Sequence, residues 1–383
     1  MASKEGAGGL LARMRAVPDP RKGNHTLHAA CDMLAASLVA VMCGYDSYRL
    51  FAGFAEHNLG WLRSRGFAFA NGVPSHDAFQ RLFKLLDPGI LSSCLRAVAQ
   101  DMRAKLPFEV VAVDGKASRR AKARGGKTPF IVNAWADAHG IVLGEVKVDE
   151  KSNEITAIPK LLRMLDLEGC IVTIDAAGCQ KKIMRQIVEE CKADCVLSLK
   201  DNQRTLHEEM LLLFESELAA SPHLFRKFEA SPEKNSGRIE RRTCWQTDCV
   251  DWFEGRKGWP HLRSVIMVEA ERTVRDPETG EWGTSTERRL YISSLAVDPE
   301  RALWATRRHW GVESMHWTLD VVYGEDYSRA RTKHAAENRA TVRRIALSVN
   351  NRWRRKRKCG SRDAMLAASQ SLQARNEMLM PPP

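Results

Sequence analysis

Apolar positions recur along this chain with two different periods. From Thr26 to about Leu106 the spacing is helical. Cys31–Met42 is almost wholly apolar or small, which predicts a helix buried on most of its surface. Tyr48, Phe51, Phe54 and Ala55 fall at i, i+3, i+6 and i+7, one face of a second helix. Ser75, after Pro74, is placed to cap a helix carrying Phe79, Leu82, Phe83 and Leu86, which Asp87-Pro88-Gly89 ends. Residues 1–25, rich in Gly, Arg and Pro, read as a flexible lead-in and 26–106 as an N-terminal helical domain. DNA binding and simple packing support are both open for that domain, since no recognition helix stands out.

From Phe108 the pattern shifts to strands. The β-branched run ending in Val113 predicts a strand buried on both faces that stops at Asp114. Pro129–Trp135 and Ile141–Val148 predict two strands joined by a turn at Asp137-Ala138-His139-Gly140. Thr156 is placed to cap a helix with Pro159 in its first turn. A strand Cys170–Ile174 ending on Asp175, a helix Gln180–Cys191 and a strand Cys195–Leu199 follow. This order predicts an α/β fold, a mixed sheet flanked by helices. Residues 201–289 break the rhythm with a helix at Leu206–Glu217, polar strand-like pieces at Gly237–Thr247 and Leu262–Val274, and a turn at Pro277/Gly280. They read as a β-rich insertion into a sheet domain made of 107–200 and 290–350. That domain resumes with a strand at 290–295 and helices at Pro299–Trp310, through Asp320, and at Ala335–Asn350. Residues 351–383 form a basic tail, expected to be disordered beyond 360.

Charge and cysteine usage narrow the function classes. The chain has 383 residues, enough for two or three domains, and a formal charge of +12. That excess favours a polyanionic partner, nucleic acid or an anionic surface. The longest apolar run, Met33–Gly44, is twelve residues, and a membrane span needs about 20. No secretory signal is visible in the first twenty residues. The ten cysteines form no C-x-x-C pair, which argues against zinc and for buried, reduced thiols in an intracellular protein.

Asp114-Gly115 by itself reads as a turn pair. Asp175 repeats the same grammar 61 residues later: apolar strand, carboxylate, small residues. Two strands ending on Asp in one sheet can place both acids at one edge, where open α/β sheets bind ligands. Neighbouring carboxylates repel, and a hard divalent cation relieves that repulsion. Further on, His309, Glu313, His316, Trp317 and Asp320 fall at i, i+4, i+7, i+8 and i+11 of one helix. That face is either a buried polar network or the source of a third metal ligand, Glu313.

Together these segments resemble a known family. The carriers are Ala-Val-Asp114-Gly-Lys, the stretch from Lys147 to Pro159, Val-Thr-Ile-Asp175-Ala-Ala-Gly-Cys-Gln, Leu-Lys-Asp-Asn-Gln203, His309-Trp-Gly-Val-Glu313, and Leu319 to Asp326. Asn71-Gly-Val-Pro-Ser-His-Asp-Ala-Phe79 adds to them. Over roughly residues 15–350 the chain resembles the DDE transposases of bacterial insertion sequences, H-repeat-associated type. The resemblance implies an RNase H-like fold with Asp114, Asp175 and Glu313 as catalytic triad and metal ligands. It also implies Mg²⁺, with Mn²⁺ as substitute, and DNA as partner, both the terminal inverted repeats and the target. A homodimer in the DNA complex and a cytoplasmic, nucleoid-associated location go with it. In that scheme hydrolysis frees a 3′-hydroxyl that then attacks a target phosphodiester. There are departures. Asp201 stands where the family usually has Gly. Where related enzymes place Tyr, Arg and Lys around the glutamate, this chain has Thr306, His309 and Asp320.

The basic run Lys116, Arg119, Arg120, Lys122, Arg124 and Lys127 directly follows Asp114 and suits a phosphate backbone, as a solvated face also would. Arg307, Arg308 and His309 are the candidates for a phosphate clamp. The run Arg352–Lys358 reads as a nonspecific tail or a second phosphate contact. Trp245 and Trp252 are packing residues or stacking platforms for an extruded base. Two rival functions stay open: a metal-dependent RNase H-like nuclease without strand transfer, and a catalytically silent relic that only binds DNA.

Overall fold

A computed structural model describes residues 9–21, 26–104, 106–117, 130–148, 153–235, 237–276 and 278–379. Six helices come first: α1 (Leu10–Arg15), α2 (Ala30–Met42), α3 (Tyr48–His57), α4 (Leu59–Ser64), α5 (His76–Leu85) and α6 (Pro88–Met102). Then follow β1 (Val110–Ala117), β2 (Phe130–Ala136), β3 (Ile141–Val148), α7 (Glu154–Arg163), β4 (Ile171–Ile174), α8 (Lys181–Glu189), β5 (Asp194–Leu199) and α9 (Arg204–Ala220). The strands β6 (Arg226–Glu229), β7 (Glu233–Asn235), β8 (Arg238–Thr247), β9 (Ser264–Arg275) and β10 (Trp282–Ser293) lead to α10 (Pro299–Val321), α11 (Ala335–Arg357), α12 (Ser361–Gln370) and α13 (Leu372–Leu379). The expected α/β class, a mixed sheet flanked by helices after a helical N-terminal region, is present. Among the described residues no helix is long and apolar enough to cross a membrane.

Contacts divide the chain into two units, the first being residues 1–105, 115–153 and 312–383, the second 106–114 and 154–311. In the first, α11 is the hub. It is buried almost throughout from Ala335 to Asn351, and α2, α5, α6 and β3 pack on it. The N-terminal helices are therefore part of this unit rather than a body of their own. α2 is buried on nearly every side, as its apolar run predicts. Ser75 accepts from Ala78 N to cap α5, and Asp87 accepts from Gly89 N to cap α6. Polar groups on α11 satisfy the ends of neighbouring helices: the Asn338 amide donates to the Phe83 and Leu86 carbonyls at 2.9 and 2.8 Å. β2 and β3 form the expected antiparallel hairpin, with Gly140 at φ +67° in its turn.

The C-terminal expectation needs correction. Residues 361–379 are helical, and the basic run Arg352–Arg357 is the end of α11, not a loose tail. α12 buries Ala364 and Ala368 fully, and α12 and α13 pack on α11. The apolar faces there are narrow and built from Ala and Met, so the pattern in the sequence is weak.

In the second unit the ladder reads β1-β4-β5-β10-β9-β8-β6, with β7 also on β8. β1, β4 and β5 are parallel, and β10 joins β5 antiparallel through Leu290–Ser293. The strands of the expected insertion thus extend the same sheet. The strand expected at 290–295 is the end of a twelve-residue strand that pairs along its whole length with β9. The core gathers Val110, Ile171, Val196, Cys244, Ile266 and Leu303. α7 starts at Glu154 instead of at Thr156, with Pro159 inside it. The missing N–H at Pro159 leaves the carbonyl of Ile155, a 39% exposed residue in the first turn, where water can reach it. α10 runs unbroken through Gly311, so the two expected helices are one.

Candidate active site

Two parallel strands bring the first two candidate acids together. Val110 lies opposite Ile171, and Val113 opposite Ile174. Asp114 and Asp175 are the next residues on these strands, whose axes are about 4.8 Å apart. Both are half-buried. The turn reading of Asp114-Gly115 fails, because β1 continues through both residues to Ala117 and Gly115 does not take a positive φ. What ends at Asp114 is the pairing with β4, not the strand.

Asp175 opens a short 3₁₀ turn, Ala176–Gly178, and its carboxylate accepts from the Gly178 N–H at 3.4 Å. Gly178 is there for space: a Cβ would lie 2.3 Å from Ile174 Cγ2 and 3.0 Å from Ile158 Cδ1. Gly178→Val is expected to cost about 1–3 kcal/mol by overpacking. An unchanged urea midpoint would contradict that.

Two residues missed at the sequence level hold this turn from outside. The Asn202 amide donates to the Ala176 carbonyl at 2.5 Å, and the Gln203 amide to the Cys179 carbonyl at 3.0 Å. The signal was the Asp-Asn-Gln203 motif itself. Asp201 starts a 3₁₀ turn without positive φ, so Asp serves where the family usually has Gly.

His309 is not a cationic phosphate clamp. Its Nδ1 shares a hydrogen bond of 3.0 Å with Oγ1 of Thr173, two residues before Asp175 on β4. Burial lowers its pKa below 6.5, against the opposing pull of Asp175. The unfolded chain takes up the proton near pH 6.5 while the folded imidazole resists it. Stability is then expected to fall as pH drops through that value. His309→Gln should flatten the slope in chemical unfolding at pH 7.5 and 5.5, and an unchanged slope would count against this reading. Glu313 lies one turn beyond His309 on α10 and is exposed. Arg307 and Arg308 are also exposed. Arg307 pairs with Glu233 at 2.8 Å, and Arg308 lies 5.9 Å from the Trp304 ring.

Lys116 also departs from expectation. It is 7% exposed and its ammonium lies 2.5 Å from Asp320, 3.6 Å from Glu325 and 3.8 Å from Asp326. It is an internal counter-ion, not a DNA contact. The basic residue of β1 thus meets an acid at the α10 position where related enzymes have Lys. Burial raises the Asp320 pKa despite Lys116. For Glu325, Arg344, Arg343 and Lys116 outweigh burial and lower it. Arg119, Arg120, Lys122, Arg124 and Lys127 lie outside the described residues. Trp245 is half-buried, 5.8 Å from the Lys227 ammonium, whereas Trp252 is 44% exposed.

The donor chemistry suits a hard divalent cation. Asp114 and Asp175 offer carboxylate oxygens from adjacent strands, and Mg²⁺ usually takes one or two protein carboxylates with water and phosphate completing its shell. Among the described residues no three His, Cys, Asp or Glu side chains are gathered closely enough to hold a metal. The ten cysteines are all free, with Cys170, Cys179 and Cys195 buried.

Comparison with known proteins gives concordant matches. A family model described as transposase DDE domain matches residues 105–349, and one described as DDE_Tnp_1-associated matches residues 11–99. The putative transposase YncI of Escherichia coli O157:H7 is 33% identical over 348 residues, 89% of this chain and 86% of that protein. The H repeat-associated putative transposase YhhI of Escherichia coli K12 is 32% identical over 344 residues, 89% of each chain. An uncharacterized protein in the dhlA 3′ region of Xanthobacter autotrophicus is 38% identical over 286 residues, 74% of this chain and 93% of that one.

Proposed function

The chain belongs to the DDE transposase family, and from that membership we propose that it cleaves and joins DNA phosphodiester bonds at the ends of an insertion sequence. The observation that carries the reading is the side-by-side placement of Asp114 and Asp175 at the end of the β1–β4 ladder. Asp114, Asp175 and Glu313 are the residues that would hold Mg²⁺, or Mn²⁺ in its place. A pair of such ions, when bound, activates water and stabilises the leaving oxygen.

The chain's own groups bind and orient. The carboxylates act as ligands, so none has to serve as general base. Asn202 and Gln203 keep the Asp175 turn in one conformation. Arg307 and Arg308, exposed on α10, and the run Arg119, Arg120, Lys122, Arg124 and Lys127 are the proposed phosphate contacts. Their charge gives affinity but no sequence information. The partners are the element's terminal repeats and a target duplex, held by two copies of the chain in the nucleoid.

The test supplies a labelled terminal-repeat duplex with a free 3′-hydroxyl, a target duplex and Mg²⁺. Joined products are expected. Metal-dependent cleavage without joining would replace the reading with a nuclease, and a gel shift without either would replace it with a DNA-binding relic.

A further inference from the structure

In the second unit, β8, β9 and β10 with the first half of α10 enclose a cavity of about 420 Å³. Its described lining holds five arginines but two glutamates. Glu240, 4% exposed, pairs with Arg238 and Arg272 at 3.1 Å each and with Arg242. Glu287 takes Arg289 at 2.7 Å and Arg272 at 3.5 Å. Glu233 holds Arg242 at 3.1 Å and Arg307 at 2.8 Å. Each guanidinium has five N–H donors, so these pairings fix the arginines without exhausting them. Even with Glu233 included, the arginines outnumber the acids by two. Burial and then the nearby Arg307 push the Arg242 pKa down, the mark of crowded cations.

The rest of the lining is flat and apolar. Trp310 and Tyr291 contribute rings, and the Arg289 guanidinium lies 4.7 Å from the centre of the Trp310 ring. Arginine forks match phosphate oxygens in pairs, and aromatic faces accept a base. A cavity this size takes one small ligand. It cannot admit a duplex, whose major groove alone is about 12 Å wide.

We propose that this cavity binds a single nucleoside 5′-phosphate, its phosphate on the Arg238 and Arg272 guanidinium groups and its base against Trp310. The ligand is either a free nucleotide or the 5′ end of an unpaired DNA strand. The strand form rests on the transposase reading, and the free form does not.

Calorimetry on the full chain separates these sources. The probes are thymidine 5′-monophosphate, thymidine, and a short oligothymidylate with a 5′-phosphate or a 5′-hydroxyl. The monophosphate is expected to bind about tenfold or more tighter than thymidine, because only it engages the guanidinium pair. Arg238→Ala/Arg272→Ala should remove that advantage, and circular dichroism checks its fold. Arg272→Lys, which keeps the charge and loses the fork, should weaken the monophosphate in the same direction. A 5′-phosphate advantage in the oligonucleotide that disappears in these variants identifies a strand end. Monophosphate binding with both oligonucleotides equal identifies the free nucleotide. Equal binding of monophosphate and thymidine with no oligonucleotide difference would overturn the site, as would a phosphate advantage that survives both variants. None of these arms needs DNA cleavage, so failure here leaves the transposase reading standing, and failure of cleavage leaves this site standing.

Discussion

Asp114→Ala should abolish Mg²⁺-dependent strand cleavage while leaving DNA binding. The expected loss is about a thousandfold or more, equivalent to about 4 kcal/mol of transition-state stabilisation. The argument is one of ligand count. The β1–β4 register offers two carboxylates side by side, and removing one halves the anionic charge there. Folding should survive, because Asp114 is half-buried and β1 is held by Val110–Val113 beneath it. Asp114→Asn is the sharper variant, since it keeps the shape and removes only the charge. Asp175→Ala should lose cleavage too, with a further cost of about 1 kcal/mol from the lost cap on the Gly178 N–H. Nicking of a labelled terminal-repeat duplex over a Mg²⁺ series, with a gel shift in chelator as the binding control, measures both effects. A wild-type nicking rate from Asp114→Asn would remove Asp114 from the site.

The sequence reveals this pair because its signal is local. A β-branched run ending in a carboxylate can be recognised without knowing what lies beside it, and it occurs twice. What fails is everything set by distant partners. Lys116 looks like the first member of a basic run, yet its counter-ion Asp320 is 204 residues away. Asp114-Gly115 looks like a turn because the pair usually is one, but the sheet keeps β1 extended through it. His309 looks like a spare cation, and Thr173 on β4 together with burial makes it a neutral anchor. Residues 361–379 look patternless, because the small apolar faces of α12 and α13 have meaning only against α11. In the other direction, Asn202 and Gln203 carry the Asp175 turn through backbone carbonyls, a contact that no periodicity announces.

The largest effect on stability is expected at Arg344, in the first unit. It is fully buried, and its guanidinium reaches Glu325 and Glu145 at 2.8 Å each and the Asn133 carbonyl oxygen at 2.6 Å. Arg344→Leu fills much of the volume but leaves both acids without this cation. Removing one member of a buried ion pair costs about 3–5 kcal/mol, because the surviving charge is neither solvated nor paired. The dependence on pH follows from the directions of the shifts. In the native protein Glu325 sits below its ordinary 4.5, so its contribution is present above that pH and lost below it. Burial already raises Glu145, and without Arg344 both acids should shift upward. The variant should therefore be weakest near neutral pH and approach the wild type as pH falls below about 4.5, where both acids are neutral in either state. Arg344→Leu/Glu325→Gln should recover part of the loss by removing one orphaned charge. Urea unfolding of the four proteins of this cycle at pH 7.5 and 4.5 tests the account. Equal losses at the two pH values would mean that packing, not charge, is what Arg344 contributes. The same cluster includes the pairing of Lys116 with Asp320, so loosening it should also free the last turn of α10, seven residues past Glu313. Amide hydrogen exchange at residues 314–321 should then rise in Arg344→Leu beyond the rise in the rest of the unit.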